Sequence, residues 1–255
     1  MDPDTFAVTA RVFEWKEAHF ATGGRYGKFR RGFWSVYFNY DAVLEGAEEW
    51  IERRELLSIY AIGGFATFDR SKLEELGGFL ELLSPFHWED VDLSYRAWKR
   101  GWAVHYEPRS IGRHRTSATI NAFYKKRQVE SVSFRNRLLF HWINLHSPTY
   151  LAAHILMLAV WLPTRILVLD VDFYRALFQA LRCLGQVRKL RLRERKKARR
   201  SDREVSAILN TFYQLAPIRV YYNRREVVLK HPGLPGPLAA PQRSDAVKSS
   251  PLAKA

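Results

Sequence analysis

Trp88-Glu89-Asp90-Val91-Asp92-Leu93-Ser94-Tyr95-Arg96 is the stretch on which the fold turns. From Glu89 to Arg100 the side chains of Val91, Ser94, Tyr95 and Trp98 recur on one helical face, and Gly101 stands where a helix ends in a left-handed residue. The spacing predicts a helix. Trp102, Val104 and Tyr106 then alternate with Ala103 and His105 before Pro108, the pattern of a short strand. Three carboxylates crowd the first helical turn. Acidic residues favour that position because they complement the helix dipole, by about 0.3–1 kcal/mol each at a surface. A carboxylate there can also face a cleft and take a proton from an attacking hydroxyl, a role open to Asp90.

Upstream, Tyr60 to Phe68 reads as a strand interrupted by Gly63-Gly64. Ser71 to Leu76 follows as a short helix, with Asp69 or Ser71 as its cap and Gly77-Gly78 as its stop. Phe6 to Phe13 is rich in Val, Phe and Thr and predicts a strand, whereas Gly23 to Trp34, with four glycines among Arg25, Lys28, Arg30 and Arg31, predicts a mobile basic loop. Strand, helix and strand in that order make an α/β fold.

Residues 61 to 117 carry a more specific pattern: Ile62-Gly63-Gly64-Phe65, Phe68-Asp69-Arg70, Leu76-Gly77-Gly78-Phe79, the run from Trp88 to Arg96, Gly101-Trp102, Tyr106, Pro108 and His114. In this order and spacing they resemble the second half of the GT-A domain of family 2 glycosyltransferases, a Rossmann-like α/β fold. Arg135-Asn136, Leu138-Leu139-Phe140 and Trp142 extend the resemblance to about residue 145. It implies an inverting sugar transfer from a nucleoside-diphosphate sugar to a saccharide or lipid-linked saccharide of the cell envelope. Asp90 is the implied general base and Glu89 its support. Gly63 and Gly64 would line the sugar site, although a strand irregularity explains them equally. Trp88 is either core or a platform for a sugar ring. His114 is either an ordinary polar residue or, by the resemblance, a ligand of the divalent metal, Mn²⁺ or Mg²⁺, that accompanies the donor. The nucleotide-binding half that precedes these motifs in the family, with its Asp-x-Asp motif, is expected to be missing, and activity of this chain alone is therefore expected to be compromised.

Charge divides the chain. Residues 1 to 120 hold 16 Lys and Arg against 18 Asp and Glu, and residues 121 to 255 hold 25 against 8. The second half therefore calls for an anionic partner. Its pattern is helical: Phe134 to Leu145, Tyr150 to Leu169, and Tyr174 onward, where Leu177, Leu181, Leu184 and Val187 form an apolar stripe ahead of nine Lys and Arg between Arg188 and Arg200. Leu151 to Leu162 is apolar but broken by His154 and Pro163, so an interfacial anchor on an anionic membrane surface is expected rather than a span. The expected organisation is a partial GT-A domain over 1–120, a basic helical membrane-associated region over 121–230 and a disordered tail over 231–255. The start of the sequence lacks a signal-peptide pattern and Cys183 is the sole cysteine, which together suggest a cytoplasmic protein held at the inner face of the membrane. Nucleic acid is not expected as a partner, because residues 182 to 204 contain no aromatic side chain to stack on bases. A noncatalytic membrane-associated scaffold is the first rival reading, and a basic nucleic-acid-binding protein the weaker one.

Overall fold

In the computed structural model, residues 2–15, 20–42, 45–115, 122–222 and 225–227 are described. The expected tail, 231–255, lies outside them.

The first strand, β1 (Thr5–Glu14), organises one of two sheets. On one edge it pairs in antiparallel fashion with β2 (Phe20–Thr22) near its end and β5 (Ala66–Phe68) near its start. Along the other edge runs β6 (Ala103–His114), parallel, with Thr5 opposite Ala103 and Glu14 opposite His114. A parallel pair needs a crossover. The chain supplies it between β5 and β6 with α2 (Arg70–Leu76) and α3 (Glu89–Arg100). Asp69 caps α2 by accepting from the backbone N–H of Lys72 at 3.1 Å, and Gly77 ends it at φ 75°. Gly101 ends α3 at φ 99°. Strand β6 is longer than the alternation from Trp102 to Tyr106 predicts. It passes Pro108 because the ladder with β1 shifts register there, between Ala10 and Arg11, and the proline's missing donor falls on the irregularity.

The second sheet corrects the expectation of a mobile loop over Gly23 to Trp34. These residues form β3 (Gly24–Arg30) and the start of β4 (Phe33–Asp41), joined by Arg31-Gly32 with φ of 50° and 75°, the positive pair that a two-residue hairpin turn requires. The glycines serve close packing. A Cβ on Gly24 would lie 2.1 Å from the Tyr40 ring, and one on Gly27 would lie 2.3 Å from Cδ1 of Ile59. Strands β7 (Arg219–Tyr222) and β8 (Arg225–Val227) extend this sheet in the order β3-β4-β7-β8. The expected strand over Tyr60 to Phe68 is also shorter: Gly63–Phe65 is a 3₁₀ turn and only Ala66–Phe68 is extended in the sheet.

The remaining elements are α1 (Ala47–Glu52) and the helices α4 (Lys126–Asn144), α5 (Pro148–Leu167), α6 (Val171–Leu181), α7 (Leu184–Lys197) and α8 (Asp202–Leu215). The stripe from Leu177 to Val187 does not lie on one helix. The chain breaks at Arg182-Cys183, so Val187 packs inward with Leu138, Leu139 and Ile143 while Leu181 and Leu184 stay exposed. The main core crosses position 120: Phe6, Trp34, Tyr40 and Trp98 pack with Phe140, Leu209 and Val220. The architecture is thus mixed α/β, with a mixed parallel and antiparallel sheet beside a helical C-terminal part.

Candidate functional site

The three carboxylates of the first α3 turn separate by environment. Asp92 is fully buried and accepts from Arg96 Nε and Asn144 Nδ2, each at 2.7 Å. Arg96 in turn donates to the carbonyls of Leu76 and Gly78 at 2.8 Å, which ties α3 to the end of α2. With every partner inside the fold, Asp92 holds elements together. Glu89 and Asp90 are left facing outward into a cleft.

That cleft has a volume of about 330 Å³, and its walls include Arg25, Tyr37, Tyr60, His87, Glu89 and Asp90. Its entry to α3 is unusual. His87 and Trp88 both adopt left-handed backbone conformations, with φ of 67° and 74°, although neither is glycine. Two such residues in succession turn the chain sharply and present the helix start to the cleft.

Asp90 Oδ2 accepts from the backbone N–H of Gly63 at 3.1 Å. Burial pushes its carboxyl above the ordinary aspartate value, partly offset by that N–H and by the positive charge of Arg25. Burial also pushes Glu89 up, and the neighbouring Asp90 adds to the shift. Glu89 Oε2 is buried with no hydrogen-bond partner among the described residues. Glu89 also lines a smaller cleft of about 150 Å³ with Phe79, Pro85 and Phe86, and so stands between the two. A carboxylate made more basic by burial, held in orientation by one backbone donor and opening on a cavity, is suited to accept a proton from a bound hydroxyl.

Other residues singled out in the sequence fare differently. Gly63 has a clear reason to be glycine: a Cβ there would lie 2.7 Å from Asp90 Oδ1. Gly64 has none, since no atom lies within 4 Å of the place its Cβ would take, and Ile62 rather than either glycine forms the cleft wall. Trp88 is 5% exposed, with the rings of Phe140 and His141 at 5.2 and 5.9 Å, and it also lines the cleft, so it belongs both to the core and to the cleft wall. His114 is exposed at the end of β6 with its ring against the edge of Phe65, 5.3 Å away. Among the described residues, no group of three or more His, Cys, Asp or Glu is placed to hold an ion. His114, Asp90 and Glu89 do not form such a group.

Arg25 was hidden in the glycine-rich segment. Its guanidinium lies over the Tyr60 ring at 5.0 Å, and its Nε is buried with no partner among the described residues. The signal lay in the alternation of β3, where Tyr26 faces the core and its neighbour Arg25 must face the other way. Neither the comparison with protein-family models nor that with curated proteins returns a match.

Proposed function

We propose that this chain is the acceptor-side, base-bearing part of an inverting GT-A glycosyltransferase that uses a nucleoside-diphosphate sugar to extend a cell-surface polysaccharide or glycolipid. The observation that carries the proposal is the placement of Asp90: at the start of α3, in a cavity, its carboxyl raised by burial and aimed by Gly63. The resemblance of residues 61 to 117 supplies the reaction class.

In the proposed step the acceptor hydroxyl lies against Asp90, which takes its proton as the oxygen bonds to the anomeric carbon. The bond from that carbon to the diphosphate breaks, and the nucleoside diphosphate leaves with the electron pair. Glu89 supports Asp90 electrostatically, while Tyr37 and Tyr60 provide aromatic walls suited to the apolar faces of a sugar. A divalent metal, Mn²⁺ or Mg²⁺, belongs to this proposal as companion of the diphosphate. The proton transfer at Asp90 does not depend on it.

The test has two stages. Calorimetry with UDP-, GDP- and dTDP-sugars, with and without Mn²⁺, asks whether a donor binds. Release of nucleoside diphosphate on addition of saccharide acceptors asks whether transfer occurs. Expected are donor binding and acceptor-dependent release. A folded protein that neither binds nor turns over any donor, alone or supplied with a nucleotide-binding half, would refute the proposal.

A further inference from the structure

Helix α5 is the one helix among the described residues that is long and apolar enough to cross a membrane, with a mean hydropathy of 1.5, yet only 6% of its apolar window is buried. A core helix of that composition would be covered. This one is covered on a single stripe. Tyr150 stacks on Phe29 at 4.0 Å, His154 is fully buried with its Nδ1 2.8 Å from the Gly32 carbonyl, and Trp161 stacks on Phe33 at 4.6 Å. These contacts clamp α5 to the turn of the β3–β4 hairpin. A Cβ on Gly32 would come within 2.4 Å of the Ala153 carbonyl oxygen, so the clamp is tight.

A helix held along one side against the β3–β4 turn leaves only its other side free to meet lipid. Its other side continues past the helix end into α6. Leu156 is 68% exposed, Leu167 and Leu169 are each 82% exposed, and Val168, Val171 and Phe178 are 60–67% exposed. Leu169 sits at φ 51° in the turn, and the Tyr174 hydroxyl donates to the Leu162 carbonyl, which ties the start of α6 to the end of α5. The exposed apolar side chains therefore gather at the α5–α6 turn, where Asp170 is paired with Arg165 at 2.9 Å and Asp172 with Arg127 at 2.8 Å. Apolar patches of this extent mark surfaces that meet a partner.

We infer that the tip of the α5–α6 turn inserts into one leaflet of an anionic bilayer, with the basic helix α7 lying along the head groups. Charge selects this occupant. Arg182, Arg188, Lys189, Arg195, Lys196 and Lys197 are all exposed, and they follow the apolar face directly in the chain. The single acid of α7, Glu194, is buried against Arg100 at 2.7 Å and does not offset them. A second copy of the chain would bring the same positive charges to the interface and be repelled, whereas phosphate-bearing head groups complement them. This inference is independent of the transferase proposal.

Flotation of the full chain with vesicles of equal parts phosphatidylglycerol and phosphatidylcholine tests it. Expected are recovery with these vesicles, weaker recovery with pure phosphatidylcholine, and a loss of about tenfold or more in partitioning for the Leu167→Asp/Leu169→Asp double variant. Both positions are exposed, so the circular dichroism spectrum and melting temperature of the variant should match those of the parent. No flotation of the parent, or undiminished flotation of a folded double variant, would overturn the inference. Equal recovery on pure phosphatidylcholine would overturn its anionic element. A dimer in sedimentation equilibrium that the double variant dissociates, without vesicle binding, would assign the tip to a second copy instead.

Discussion

The backbone N–H of Gly63 reaches across 27 positions of sequence to Oδ2 of Asp90, and the missing Cβ of Gly63 is what leaves room for the same carboxyl's Oδ1. One residue thus both orients and makes space for the carboxylate. Gly63→Ala should displace Asp90 and lower transferase turnover by about tenfold or more, since a misplacement of about 1 Å can cost that much. Gly64→Ala, with no atom within 4 Å of its added carbon, should leave turnover near that of the parent. Comparison of the two variants in the same nucleoside diphosphate release assay separates space at Asp90 from a general need for glycine.

Asp90→Asn removes the proton acceptor and should lower turnover by about 10²-fold or more while sparing donor affinity. Stability should move the other way. Because burial raises this carboxyl in the native state, its ionisation opposes folding once the pH exceeds the ordinary aspartate value. The asparagine variant should therefore melt higher than the parent at neutral pH, with the gain shrinking as the pH falls through the raised native value and absent below about 4. Thermal melts at several pH values check it.

Arg25 faces the same cleft, and its positive charge holds the Asp90 carboxyl lower than burial alone would. Arg25→Gln should shift the acidic limb of the pH–rate profile upward, and Arg25→Lys should restore it in part. An unmoved limb with intact turnover would remove Arg25 from the electrostatics of the site.

How much of this could be seen in the sequence depends on the range of the interactions involved. Helix α3 is written locally, in the periodicity of Val91, Ser94, Tyr95 and Trp98 and the stop at Gly101. The cap at Asp69 is equally local. The β3–β4 hairpin was illegible because its glycines are fixed by Tyr40, Tyr106 and Ile59, residues distant in sequence, and local chemistry offers only mobility as their explanation. The division of labour among Glu89, Asp90 and Asp92 was likewise invisible, since it depends on Arg96, Asn144 and Gly63. The glycines of the motif looked equivalent, and only their surroundings tell them apart.

Asp202, at the start of α8, is fully buried and accepts from Tyr95 Oη at 2.9 Å, Lys99 Nζ at 2.7 Å and the backbone N–H groups of His146 and Ser147. Burial alone would raise its carboxyl. The Lys99 ammonium and the converging donors win and hold it below its ordinary value. Asp202→Ala leaves Lys99 buried without its counter-charge and should cost about 3–5 kcal/mol, measured by denaturant unfolding.

The His141 and His154 rings stack 5.0 Å apart in the core, and burial pushes both imidazoles down, His154 to about 4. The native state keeps them neutral, while the unfolded chain takes up protons below the ordinary value of 6.5. Their contribution to stability is present above that value and is lost as the pH falls toward 4. The melting temperature should therefore drop between about pH 7 and pH 5, and His154→Gln should flatten the slope.

The left-handed pair at His87 and Trp88 costs the fold something of the order of 1–3 kcal/mol per residue, yet it presents the helix start to the cleft. Under laboratory selection for heat resistance alone, position 87 is where a glycine or asparagine would be favoured early. Such a lineage would trade a cleft-lining imidazole for durability, and the residues it replaced first would mark where tolerance of heat and shape of the site are in competition.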